Sequence, residues 1–234
     1  MKKAIIVDKN LDNAIFSTLL SNNYSIIKSF DMDILYKPVN THPDMQIHFV
    51  ADDYAICEPN CYEYYKKALP SHIKLKAGNK ISKGTYPYDI AYNVARIGEY
   101  VFCNEKYTDY VILNFYDYYN YKIININQGY AKCNMCIVSD KAVITEDIGI
   151  YKTIKNTNID CLLIQPGNII LKGFPHGFIG GASGFIDNRV LFYGSICKHP
   201  NVEIIIKFLE KYEVNYTELT NNKLVDFGSI VNVK

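Results

Sequence analysis

Residues 129–164, GYAKCNMCIVSDKAVITEDIGIYKTIKNTNIDCLLI, carry the pattern that decides the fold reading. Cys136 to Val138 and Lys141 to Thr145 are apolar, β-branched runs around a turn at Ser139-Asp140, which predicts a strand pair. Asp147 to Asn156 follows with apolar residues at Ile148, Ile150 and Ile154, and predicts a helix. Cys161 to Ile164 then has the length and composition of a buried strand, and Asn168 to Leu171 reads as a short one. A polar motif, Gly129-Tyr130-Ala131-Lys132-Cys133-Asn134, precedes this unit.

The same order recurs along the chain. Downstream, Phe185-Ile186 and Val190 to Tyr193 flank a turn at Asp187-Asn188. Pro200 is placed at a first helical position, and Val202 to Tyr212 has helical spacing at Val202, Ile205, Ile206 and Leu209. Val214 to Leu219 closes that unit. Upstream, Phe49 to Cys57 turns at Asp52-Asp53, and a helix is expected from near Pro59 to before Pro70. Thr108 is expected to cap a Tyr-rich helix running to about Tyr119, with a strand at Lys122 to Ile126. Ala4 to Val7 and Leu11 to Leu20 read as a strand and a helix.

Five polar motifs punctuate these units. Their anchors are Asp44, Asp89, Lys132, Gly180 and Gly228, with gaps of 45, 43, 48 and 48 residues by subtraction. A repeat of that length means one structural unit used several times. No Ser- or Gly-rich linker separates the units, so residues 1–234 are expected to form a single closed α/β domain of five repeats. Closure into a ring would bring all five motifs to one axis.

Composition narrows the function classes. The hydrophobic content of 49% is ordinary for a globular protein, and a chain of 234 residues buries roughly 70–75% of its unfolded surface without needing a metal or disulfide. The formal net charge is +1 and no dense Lys/Arg run occurs, which argues against a nucleic-acid or anionic-membrane partner. Met1 to Val7 is too short an apolar run before Asp8 to be a signal-peptide core. No segment approaches the ~18 apolar residues of a membrane span. The expected location is cytoplasmic, and seven cysteines, an odd number, argue for reduced thiols.

The five-unit order resembles the pentein fold, the five-bladed α/β propeller of the guanidino-group-modifying superfamily, over the whole chain. The sequence is also similar to an uncharacterised family of small bacterial proteins placed in that superfamily. In arginine deiminases and dimethylarginine hydrolases, a Cys after the fifth unit attacks the guanidinium carbon. A His in a His-x-Asp motif after the third unit is the acid/base, and acidic residues after the first two units grip the guanidinium. Carried over, the resemblance puts Asp44 and Asp89 in the acidic slots. Lys132 stands in the His slot, Asn134 in the Asp slot, and Ser229 near the Cys slot; no Cys follows Cys197. Both the usual nucleophile and its base are absent, and a Ser hydroxyl is a weak nucleophile without an adjacent base.

The candidate residues follow. Asp44 and Asp89 as a pair would attract a guanidinium or ammonium, with turn chemistry as the plainer alternative. Asp44, Gln46 and His48 would share one face of an extended strand; His48 itself is expected to be a satisfied interior imidazole. His42, in His42-Pro43-Asp44, is balanced between a catalytic and a structural role. Cys133 and Cys136 lack the further ligands of a zinc site, so no metal and no cofactor are expected. Cys133 alone is a candidate nucleophile if Lys132 lowers its pKa, with a small buried thiol as the plainer and favoured alternative. Lys132 would bind a carboxylate, pair with an acid, act as a base, or hold the ring together. Gly180, Gly181 and Ser183 lie in a Gly-rich stretch suited either to cradling an anion or to tight closure. Asn93, Asn134 and Ser229 complete the expected ligand shell. The expected partner is a small molecule with a cationic group. Either the chain binds or transforms it at the axis, or it is a non-enzymatic interaction or sensor module, as the ribosome anti-association factor is on the same fold.

Overall fold

In the computed structural model, which describes residues 2–234, five three-stranded sheets surround a common axis. The fourth blade shows the plan. After the short helix α4 (Ala131–Asn134), strand β9 (Met135–Ser139) pairs antiparallel with β10 (Ala142–Thr145), helix α5 (Ile148–Ile154) crosses over, and β11 (Asp160–Leu163) returns parallel to β10. The second blade is β3 (Ile47–Ala51), β4 (Tyr54–Cys57), α2 (Tyr62–Ala68) and β5 (Lys74–Ala77). The third is β6 (Ala95–Ile97), β7 (Tyr100–Cys103), α3 (Tyr110–Tyr118) and β8 (Lys122–Asn125). The fifth is β12 (Ser183–Phe185), β13 (Arg189–Phe192), α6 (Val202–Lys211) and β14 (Asn215–Glu218).

The first blade takes its strands from both ends of the chain. β1 (Lys3–Val7), α1 (Asn13–Ser21) and β2 (Tyr24–Lys28) follow the common order. Their antiparallel partner is β15 (Val231–Val233), with Ala4 opposite Val233 and Ile6 opposite Val231. This pairing closes the ring. The sequence units were read from strand pair to strand pair, so the strand that completes the first pair was not foreseen.

Local chemistry explains most boundaries. Asp12, Asp109 and Asp147 cap α1, α3 and α5, with Asp109 accepting from Val111 N at 2.8 Å and Ile112 N at 3.2 Å. Thr108 is therefore not the cap of α3; its hydroxyl donates back to the Asn104 carbonyl at 2.9 Å. Pro200 is not the first residue of α6 either, because the cap falls on Asn201. Asn168 to Leu171 forms no strand; Ile170 alone bridges Val225. Pro59–Cys61 makes one 3-10 turn ahead of α2, which stops before Pro70 as its ring requires. The β12–β13 turn places Asp187 and Asn188 at φ 52° and 58°, the paired left-handed residues of a tight hairpin.

The cores lie between blades. One buried cluster joins Ile56, Tyr65, Val101, Ile112 and Tyr116, and another joins Val138, Ile144, Val190, Phe192, Ile205 and Leu209. Each sheet thus buries a face against its neighbour's helix, so the blades stabilise one another around the ring. Among the described residues, no helix is long and apolar enough to cross a membrane.

Candidate functional site at the ring axis

The inner strand of every blade, β15 in the first, faces the axis, and together these strands line a cavity of about 630 Å³. Asp44 and Lys132 lie at its inner end. Ile47, His48, Val94, Arg96, Ile137, Phe185 and Val231 form its wall, and the hairpin-end residues Asp52, Asp140, Asp187 and Lys234 its rim. Asp44, Lys132, Gly180 and Gly228 each stand three residues before the start of an inner strand; Asp89 stands six before. Four of the five anchors are therefore equivalent in the ring. In the third blade the equivalent place falls on Tyr92, beside Asn93.

Asp44 is the centre of the polar network. Its Oδ2 accepts from the Ser229 hydroxyl at 2.7 Å and the Cys133 thiol at 3.1 Å. Its Oδ1 is buried and has no hydrogen-bond partner. Lys132 donates from Nζ to Ser229 Oγ at 3.1 Å, and Ser229 is also within 2.9 Å of the Gly180 carbonyl. Asn93 stitches the third and fourth blades together. Its Oδ1 accepts from Lys132 N at 2.8 Å and Cys133 N at 3.3 Å, while its amide donates to Cys133 Sγ at 3.1 Å. Ser229 (φ 66°) follows Gly228 (φ 72°), so two successive left-handed residues present this hydroxyl.

Other expected site residues are placed differently. Asp89 does not join Asp44 as a pair. It accepts from Tyr130 Oη at 2.9 Å, its other oxygen is unpartnered, and burial raises its pKa. Gln46 spends its amide on structure, accepting from Phe30 N at 3.0 Å and Tyr65 Oη at 2.8 Å and donating to Phe30 O at 2.7 Å. Pro43–Met45 is a 3-10 turn, and β3 begins only at Ile47, so Asp44, Gln46 and His48 share no strand face. Asn134 donates to the Tyr130 carbonyl at 3.0 Å. Ser183 is buried at the start of β12 with its hydroxyl 3.4 Å from the Gly180 carbonyl.

Gly180 and Gly181 are where backbone must pass backbone and carboxylate. A Cβ on Gly180 would fall 2.3 Å from the Lys132 carbonyl, and one on Gly181 2.0 Å from Asp226 Oδ1. Gly181 also donates to the Cys133 carbonyl at 2.8 Å and accepts from Ser229 N at 2.9 Å. Tight closure accounts for both glycines.

Cys133 carries the clearest electrostatic correction. Of its two readings, a nucleophile activated by Lys132 and a small buried thiol, the environment fits the second. Burial and then the Asp44 carboxylate push the thiol well above its ordinary value. A buried thiol beside a carboxylate is a poor thiolate donor. His48 is the interior imidazole expected: Nε2 lies 2.6 Å from Tyr116 Oη, and burial, Arg96 and Lys132 push its pKa down to about 3.

His42 belongs to a second buried cluster beside the axis. Its Nδ1 lies 3.8 Å from Asp226 Oδ1. Asp226 accepts from Gly228 N at 2.9 Å and Phe178 N at 3.0 Å, holding the turn that carries Ser229. Asp8 accepts from Thr41 Oγ1 at 2.7 Å and Asn10 N at 2.6 Å. Burial raises the pKa of both acids. Glu146 accepts from Ile179 N at 2.9 Å through one oxygen and leaves the other unpartnered; burial pushes its pKa up to about 7. Asp8, Glu146, Asp226 and Arg96 were missed by sequence reasoning. Asp8 and Glu146 do carry one usable signal, since each is the charged residue that directly follows a blade's middle strand. Among the described residues, no group of three or more His, Cys, Asp or Glu is arranged to hold a metal ion.

The family of unknown function DUF6873 matches residues 6–231. The chain belongs to that family. Its ring is the pentein fold, shared with solved guanidino-modifying enzymes at low identity. DDAH from Pseudomonas aeruginosa, as a Cys-to-Ser mutant complexed with citrulline, superposes with a TM-score of 0.57 at 7% identity, over 94% of this chain and 93% of that one. Agmatine deiminase from C. jejuni gives 0.57 at 11%, over 99% and 93%. SxtG, an amidinotransferase from Microseira wollei in the saxitoxin biosynthetic pathway, gives 0.59 at 14%, over 95% and 78%. No curated protein matches the sequence. Identities this low carry the pentein fold, while activity must be argued from the site.

Proposed function

We propose that this pentein binds a small molecule with a cationic group in its axial cavity, a guanidino or amino-acid-like compound. One observation carries the reading. Asp44 is 2% exposed, lines the cavity, and keeps one carboxylate oxygen without a partner. A buried acceptor left unmade costs about 1–3 kcal/mol, more when charged, so a donor that fills the position is strongly favoured. Guanidinium and ammonium groups supply such donors. Lys132 and Arg96 in the same cavity suit an anionic end of the ligand. The superposed proteins act on compounds of this polarity by name: agmatine deiminase, an amidinotransferase, and DDAH complexed with citrulline.

The test is a thermal-shift screen with arginine, agmatine, citrulline, methylarginines and common amino acids. Ligand at about 100 times its dissociation constant stabilises by ~2.7 kcal/mol, which is roughly 5–10 °C for a domain of this size. The expected result is a shift that disappears in Asp44→Asn while the variant still unfolds cooperatively. A shift unchanged in Asp44→Asn refutes the assignment.

A second reading, a pentein that senses or binds without catalysis, is favoured by the state of Cys133. Its thiol is buried and held protonated beside Asp44. Turnover through Cys133 is not part of either reading.

A further inference from the structure

We propose that a groove between the second and third blades docks an extended, acidic peptide segment of a partner protein, which adds as a fourth strand along β5. The site lies apart from the axial cavity and does not depend on it. The groove measures about 550 Å³. One wall is helix α3. Tyr110, Asn114 and Tyr118 recur every four residues along it, and Val111, Phe115 and Tyr119 form the adjacent row. Residues spaced by four share a helix face. Ile112 and Tyr116, on another face, are fully buried and hold α3 in the core. The groove row is left over from that packing: Tyr110, Tyr118 and Tyr119 are 60%, 78% and 57% exposed. Exposed tyrosines offer rigid, amphipathic contact area and are enriched at protein interfaces.

The other wall is the edge of a sheet. β5 ends the strand order β3-β4-β5, so no strand covers its outer side. Lys74 N donates to Asp53 O at 2.7 Å and Gly78 N to Cys57 O at 2.9 Å, which turns alternate residues toward β4. Leu75 and Ala77 therefore direct their N–H and C=O groups to the open edge. Such a row of unpaired groups is a template for one more strand. The two walls are fixed to each other. Asn79 N donates to Asp109 Oδ2 at 2.7 Å, which ties the end of β5 to the cap of α3, and Tyr54 meets Phe115 edge-on at 5.4 Å across the floor. A groove held in this way needs no ordering when it is filled.

Charge selects the occupant. Lys76 lines the groove and makes no ion pair among the described residues, whereas Lys74 pairs with Asp53 at 3.1 Å. Six lysines and no acid lie between Glu63 and Asp89. A second copy pairing through this edge would set lysine against lysine, which disfavours it. An acidic side chain on an extended peptide would meet Lys76 while its apolar neighbours rest on the tyrosines. Phosphates could use the outward N–H groups but not the C=O groups, so a peptide fits the edge better than single-stranded nucleic acid.

The test pans a display library of random peptides, about nine residues long, on the native protein and measures a synthetic copy of an enriched peptide by fluorescence anisotropy. The enriched peptides should carry an acid among alternating apolar residues. Lys76→Glu, Tyr118→Ser and Ala77→Pro should each weaken binding about tenfold or more. Proline at position 77 removes one outward N–H and leaves the β4 ladder intact. Tyr118 is so exposed that its variant tests the groove even if Ala77→Pro fails to fold. In the native protein, bound peptide should slow hydrogen exchange of the Ala77 amide. No enrichment, enriched peptides without acid, affinity unchanged in Lys76→Glu and Tyr118→Ser, or an unprotected Ala77 amide overturns the proposal. So does preferential binding of a random single-stranded RNA pool, or self-association of the native protein that Tyr118→Ser abolishes.

Discussion

Replacing Glu146 with Gln should flatten the dependence of stability on pH. Glu146 sits immediately after β10, accepts from Ile179 N, and leaves Oε1 buried without a partner. Burial raises its pKa from 4.5 to about 7. The folded protein therefore keeps this proton up to about pH 7, whereas the unfolded chain releases it near 4.5. Between those values the native state binds more protons, so stability falls as pH rises. The contribution is complete below the unfolded pKa and lost as pH passes the folded one. From pH 5 to pH 8 the loss is about 2.5 kcal/mol, or roughly 5–10 °C in Tm. Gln keeps an acceptor for Ile179 N and has no charge to lose. The assay is Tm measured every half pH unit from 5 to 8.5 for both proteins. The wild-type curve should fall away from the Glu146→Gln curve by about that amount; parallel curves would refute the burial argument. Asp8 and Asp89 are raised in the same direction and both proteins share their slope, whereas Asp226 helps raise Glu146, so the difference reads Glu146 together with that coupling.

Gly180→Ala should cost more than about 2 kcal/mol, because the new Cβ meets three backbone oxygens, of Lys132, Met135 and Cys133, at 2.3–2.7 Å. Urea midpoints would measure this, and a loss below ~0.5 kcal/mol would show that the loop yields. Native protein treated with iodoacetamide at pH 7.5 should react first at the exposed Cys197, with Cys133 protected until the ring opens. Fast modification of Cys133 would contradict its buried, carboxylate-flanked setting.

Much of the ring was legible because its signals are local. Asp52-Asp53 and Asp187-Asn188 are polar pairs between apolar runs, and both are hairpin turns; the turn expected at Ser139-Asp140 falls one residue later, at Asp140 and Lys141, because Ser139 still pairs with Ala142. Near-equal spacing also led to Asp44 and Lys132, and the resemblance to Ser229, three residues that meet in one hydrogen-bonded network. The same spacing misled at Asp89, since the equivalent place lies three residues later at Tyr92, where no acid marks it. Gln46 reads like a ligand residue in sequence, yet its amide is consumed by Phe30 and Tyr65, and only the fold brings them within reach. The helix cap beside Thr108 falls to Asp109, whose carboxylate accepts from Val111 N and Ile112 N, while the threonine hydroxyl points its proton back at the Asn104 carbonyl. The β1–β15 pairing has no local signature, because its partners stand at opposite ends of the chain.

That pairing makes the first blade a hairpin whose turn is missing. Every other blade joins its inner and middle strands through a short turn, but here Val233 lies opposite Ala4 with no covalent link beside them. The ring is thus fastened by a clasp of three residues, and Ser229 hangs immediately upstream of it. Fraying of the clasp would loosen the axial site while four blades stay intact, giving the cavity a release mechanism separate from global unfolding. A circular permutant that links residue 234 to residue 3 and opens the chain at Asp52-Asp53 would move the clasp to another blade. Exchange of the Ser229 and Ile230 amides would then slow, while that of the β3 amides would quicken.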